Sequence, residues 1–162
     1  MSKRIATTAM LLAIALVLGY LEAVFFHLPS IPGLKLGLAN VTVLLALYQL
    51  NSRYALSLSV LKSVLTALLF GNPVGMLYGL LGSLLAWGGM SLSRRTFGVL
   101  GVSVVGSVLH NLGQLTVACL LTQSFAPVAY TPALLLGGTA FGVLTGLCAL
   151  PLLRTKKDRP NK

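Results

Sequence analysis

Six apolar runs, each close to the length a helix needs to cross the hydrocarbon of a bilayer, take up almost the whole of this sequence. They fall at about residues 5–28, 35–51, 54–70, 73–93, 98–123 and 132–153. A backbone placed in lipid must bond its own N–H and C=O groups, and a helix does so within each run. Turn-forming stretches separate the runs: HLPSIPG (27–33), NSR (51–53), GNP (71–73), SRR (93–95) and the longest, SFAPVAYTP (124–132). Composition points the same way. Only 9% of residues are charged, against about 25% in a soluble domain, and the mean hydropathy is +0.92. One small core cannot hide so much apolar surface, so membrane lipid is the expected solvent. The fold expected is all-α, a polytopic membrane protein. Residues 1–153 form a single six-helix transmembrane domain and 154–162 a basic tail. MSKR and the apolar run behind it read as the first membrane helix, because that run is too long for a cleaved signal and lacks an A-x-A end.

The net charge is +10 and the pI about 10.2. In a soluble domain this would suggest nucleic acid; here the basic residues lie in the connections and at the ends, and no nucleic-acid partner is expected. With the N-terminus inside, Lys3, Arg4, Arg53, Arg94, Arg95, Arg154, Lys156, Lys157, Arg159 and Lys162 all fall on the inner side, and only Lys35 falls outside. Ten against one is a strong orientation signal. It places both termini in the cytoplasm, with the chain expected in the plasma membrane. Tyr48, Tyr54 and Trp87 read as aromatic belt residues at the inner interface. Cys119 and Cys148 have no C-x-x-C or other metal spacing and read as small core residues. Small residues recur four apart at Gly138, Gly142 and Gly146, at Gly75 and Gly79, and at Ala9 and Ala13, which lets helix backbones approach closely.

Ionisable groups at membrane depth cost at least a few kcal/mol each, so each is a functional candidate. The chain has Glu22, Lys62 and His110 there, Lys35 at an outer boundary, and the amides Asn40, Asn111 and Gln114. The first helix runs outward, which puts Glu22 about 25 Å along it. The second helix runs inward, so Lys35 and Asn40 are also in the outer part. His110 falls near mid-membrane with Gln114 one turn further out, and Lys62 lies near the middle of the third helix. These residues therefore converge on the outer half of the bilayer, as the lining of an outward-facing pocket with apolar walls would. Each also has a structural reading. Glu22 can neutralise Lys35 or Lys62, Lys62 can snorkel, and the amides and His110 can bond neighbouring helices.

The runs KLGLANVTVLLALY (35–48), LFGNP (69–73) and HNLGQL (110–115) resemble the Gx transporter family, also known as heptaprenyl diphosphate synthase component I. The resemblance covers nearly the whole chain in order and spacing. That family is similar in turn to the substrate-binding S components of energy-coupling-factor transporters. The similarity implies an S-component-like bundle of six helices with both ends inside. It also implies that Ala9 and Ala13, the counterpart of an A-x-x-x-A stripe, dock an energy-coupling transmembrane subunit and its ATPases. The leading expectation is a transport subunit capturing a small metabolite through Glu22, Lys35, Asn40, Lys62, His110, Asn111 and Gln114. The alternative is a membrane accessory subunit of a heptaprenyl diphosphate synthase. Catalysis by this chain alone is not expected. Its two carboxylates, Glu22 and Asp158, lie a membrane apart and cannot share Mg²⁺. No G-x-x-x-x-G-K-[ST] phosphate loop is present either. Neither a metal nor a cofactor is expected.

Overall fold

The computed structural model describes residues 2–25, 37–70 and 73–157. Among them are six α-helices: α1 (Ser2–Phe25), α2 (Asn40–Gln49), α3 (Ser52–Phe70), α4 (Pro73–Ser93), α5 (Val99–Thr122) and α6 (Thr131–Lys157). A short 3₁₀ turn, Ala126–Tyr130, joins the last two. The described residues contain no strand. Local chemistry marks the helix ends. Pro73 opens α4, where a missing N–H costs nothing. Gln123, in the left-handed region at φ 49°, closes α5 by donating its N–H to the Cys119 carbonyl. The expected tail boundary at 153 falls inside α6, whose helix continues to Lys157.

Four segments are long and apolar enough to cross a membrane: Lys3–Glu22, Pro73–Ser93, Val99–Thr122 and Ala126–Arg154. The other two helices depart from the expected pattern for separate reasons. α2 has 10 residues and rises only about 15 Å, half the hydrocarbon thickness. α3 has 19 residues, enough length, but Arg53, Ser57, Ser59, Lys62 and Ser63 lower its apolarity. Of these, Ser59, Lys62 and Ser63 are buried inside the protein, where lipid does not meet them.

The short α2 is enclosed by the longer helices. Thr42 to Leu47 are all buried, and α1, α3, α4, α5 and α6 each touch the helix. Leu44, Leu58, Met90 and Val102 pack there with almost no exposure. α5 lies between α4 and α6 and packs along both. Outside, the distribution of soluble proteins is inverted. Leu92 is 80% exposed and Leu136 75%, whereas Glu22, Lys62, His110, Asn111 and Gln114 are each buried to 7% exposure or less. Lipid as solvent explains both halves of that pattern.

Candidate functional site

Three polar clusters lie within the bundle, and they divide the residues singled out from the sequence. The first is built on the turn that opens α2. Gly37 holds φ +72°, a left-handed conformation that glycine adopts without steric cost. Its carbonyl accepts the Asn40 N–H at 2.8 Å, and its own N–H donates to Glu22 Oε1 of α1 at 2.8 Å. A carboxylate at the N-terminal end of a helix also faces the positive end of the helix dipole. From α3, Lys62 Nζ donates to Asn40 Oδ1 at 2.5 Å. Glu22, Asn40 and Lys62, from three helices, are thus brought to one four-residue turn. Gly37 also lies against α5, where a Cβ in its place would stand 3.9 Å from Ser107 Oγ. Lys35 lies outside the described residues.

His110, Asn111 and Gln114 form the second cluster, on α5, and they point into two different seams. Gln114 Nε2 donates to His110 Nε2 at 3.0 Å, one turn apart. That ring packs on Gly82 of α4, where a Cβ would come within 2.9 Å of His110 Nδ1. Asn111 turns the other way. Its Nδ2 donates at 3.0 Å to the Leu134 carbonyl in the first turn of α6, over Gly138, where a Cβ would come within 2.9 Å of Nδ2. The glycine stripe of α6 is spent on this contact. Gly138, Gly142 and Gly146 all face α5, with Gly142 against Val104 and Gly146 against Leu100. Ser103 Oγ and Thr145 Oγ1, 2.8 Å apart, bond the same two helices.

The third cluster consists of hydroxyls that sequence reasoning passed over. Ser59 Oγ donates to the Ser83 carbonyl at 3.0 Å, and Ser63 Oγ lies 3.0 Å from Ser83 Oγ. This ties α3 to α4 beside Lys62. The signal was available in the sequence. Ser59 and Ser63 are four apart, and Ser103, Ser107, His110, Asn111 and Gln114 recur at spacings of three and four along α5. Gly37 was visible too, inside KLGLAN, but its role needs the backbone conformation.

Two polar atoms in these clusters, Asn40 Nδ2 and Gln114 Oε1, are buried with no hydrogen-bond partner among the described residues. Two concavities follow the α4/α5 face, one from Leu84 to Phe97 and the other from Leu77 to Leu121. Neither is lined by any of the six described candidates. Ala9 and Ala13 are exposed on α1. Trp87 is not a plain belt residue. It is half-buried, and its Nε1 donates to the Ser52 carbonyl at 2.9 Å. Among the described residues, no three His, Cys, Asp or Glu side chains come together to hold a metal.

A family model described as heptaprenyl diphosphate synthase component I matches residues 11–152. No curated protein and no solved structure matches the chain with significance.

Proposed function

The chain belongs to the heptaprenyl diphosphate synthase component I family, and on that premise we propose that it is the membrane-embedded accessory component of a polyprenyl diphosphate synthase. The observation that carries the reading is the position of Glu22. Joining two prenyl units requires Mg²⁺ on a diphosphate, and Mg²⁺ needs several oxygen ligands. This chain has two carboxylates. One of them, Glu22, is buried in the bundle and accepts the Gly37 N–H. The metal chemistry therefore belongs to the other component, and this chain supplies a membrane platform close to where a long apolar product must go. On the charge distribution given above both ends lie in the cytoplasm, so the basic turn at Arg94 and Arg95 faces the soluble partner.

The test is reconstitution. Vesicles with and without the chain receive the soluble component, isopentenyl diphosphate and a short allylic diphosphate. The expected result is recruitment of the soluble component to vesicles holding the chain, with heptaprenyl diphosphate as product, and no product from the chain alone. Equal recruitment and product on empty vesicles would refute the reading.

A second reading, capture of a small metabolite for transport, is favoured by the two unsatisfied amide atoms, Asn40 Nδ2 and Gln114 Oε1, since a ligand with a matching acceptor and donor would satisfy them. On it, Glu22, Lys35, Asn40, Lys62, His110, Asn111 and Gln114 line the site, and the exposed Ala9 and Ala13 dock a coupling subunit with its ATPases. Co-purification of a polar metabolite, lost on Gln114→Ala, distinguishes it.

A further inference from the structure

The face between α4 and α5 carries a feature that the polar clusters do not use. An apolar furrow runs along it, made of two concavities that share Leu84. One continues past Gly88, Gly89 and Leu92 to Ser93 and Phe97, and the other extends to Leu77 and Leu121. From Leu77 to Ser93 the furrow follows about 24 Å of helix rise. Glycine opens it. A Cβ at Gly88 would meet nothing within 4 Å, so the space beside that residue is empty. Along its length the walls are Leu, Val and Gly, but the end is different. Ser93 Oγ is buried there with no hydrogen-bond partner among the described residues. Arg94 and Arg95 stand exposed in the turn between Ser93 and Phe97. Arg94 Nη1 reaches the Leu47 carbonyl at 3.5 Å, and Arg95 beside it is exposed.

We propose that this furrow binds one prenyl diphosphate, its chain lying between α4 and α5 and its diphosphate meeting Arg95 and Ser93 Oγ at the basic turn. The proposal rests on the accessory reading above. Charge complementarity selects the occupant. A furrow that is apolar for most of its length and ends at Ser93 and Phe97, with the exposed Arg94 and Arg95 in the turn between them, matches a molecule with one long hydrocarbon chain and a compact, multiply charged anion. Two-chain phospholipids fit a single furrow less well, and a free diphosphate makes no use of it.

The experiment uses the full chain in nanodiscs of neutral lipid, with heptaprenyl diphosphate, heptaprenol, inorganic diphosphate and phosphatidylglycerol as separate competitors of a fluorescent prenyl diphosphate. Heptaprenyl diphosphate is expected to compete at least 10-fold better than the other three. Gly88→Phe places a ring where a Cβ meets nothing within 4 Å, so it is expected to fill the furrow and to weaken binding 10-fold or more. Arg95→Gln is expected to bring heptaprenyl diphosphate down to the level of heptaprenol. The proposal is overturned if phosphatidylglycerol competes equally, or if Gly88→Phe, shown folded by its unfolding transition, binds as wild type does. Recruitment of the soluble component to vesicles is measured in parallel on the same variants. Recruitment without furrow binding sinks the furrow and leaves the accessory reading standing. Furrow binding without recruitment does the reverse.

Discussion

Replacing Gly113 by alanine tests a close backbone approach between α4 and α5. A Cβ at Gly113 would stand 2.7 Å from Gly82 Cα and 2.9 Å from Gly82 N, both backbone atoms that no rotamer change can move. Carbon atoms rest at about 3.5–4.0 Å, so α4 and α5 must separate by about 1 Å. A gap of that size forfeits roughly a quarter to a half of each dispersion contact along the seam, and overpacking of this kind costs about 1–3 kcal/mol. The better helix propensity of alanine returns up to about 1 kcal/mol. Gly88→Ala, five residues before Ser93 on the same α4, is the control, because its Cβ meets nothing within 4 Å and only the propensity gain applies. The two variants should therefore differ by about 1–3 kcal/mol, with Gly113→Ala the less stable. Titration with SDS from a mild detergent measures the difference, with thiol labelling of Cys119 on α5 reporting the loss of packing. Equal midpoints for the two variants would mean that α4 and α5 do not cross at Gly82 and Gly113.

Asn40→Leu removes the acceptor of the Lys62 ammonium; the same titration should show a loss of about 1.5–3 kcal/mol, the size of a hydrogen bond to a charged group, and Asn40→Asp should retain most of it. Asn111→Ala deletes the bond to the Leu134 carbonyl and should cost about 0.6–1.7 kcal/mol, whereas Asn111→Leu, pressed against Gly138 without that bond, should cost more. Glu22→Gln keeps an oxygen to accept the Gly37 N–H and should be better tolerated than Glu22→Leu, with purified yield and the SDS midpoint as the readouts.

The burial of the polar candidates was legible because burial of polar groups in a membrane protein has a simple logic. A side chain that cannot face lipid must face protein, so Glu22, Asn40, Lys62, His110, Asn111 and Gln114 were expected inside, and each is buried. What they face was harder to read. His110 and Asn111 are adjacent, and neighbouring helical residues point about 100° apart. With a partner helix on each side of α5, one of them meets α4 and the other α6. A grouping by depth alone put them in one chamber, and their directions divide them between two seams. The second apolar run likewise concealed a short helix. Apolar composition continues through KLGLAN, but the helix begins only at Asn40, after the left-handed Gly37.

Hydropathy by itself determined that this chain is helical and dissolves in lipid, because transfer of apolar surface and the need to bond every backbone group act on any sequence of such runs, whatever their neighbours. It also determined which side chains must hide. Only tertiary structure decided where they hide: Glu22 at the Gly37 turn, Lys62 on Asn40, Asn111 on the first turn of α6, and an apolar furrow beside Gly88. Such choices depend on which glycines let which backbones touch. That is a property of helix pairs, and no single segment carries it.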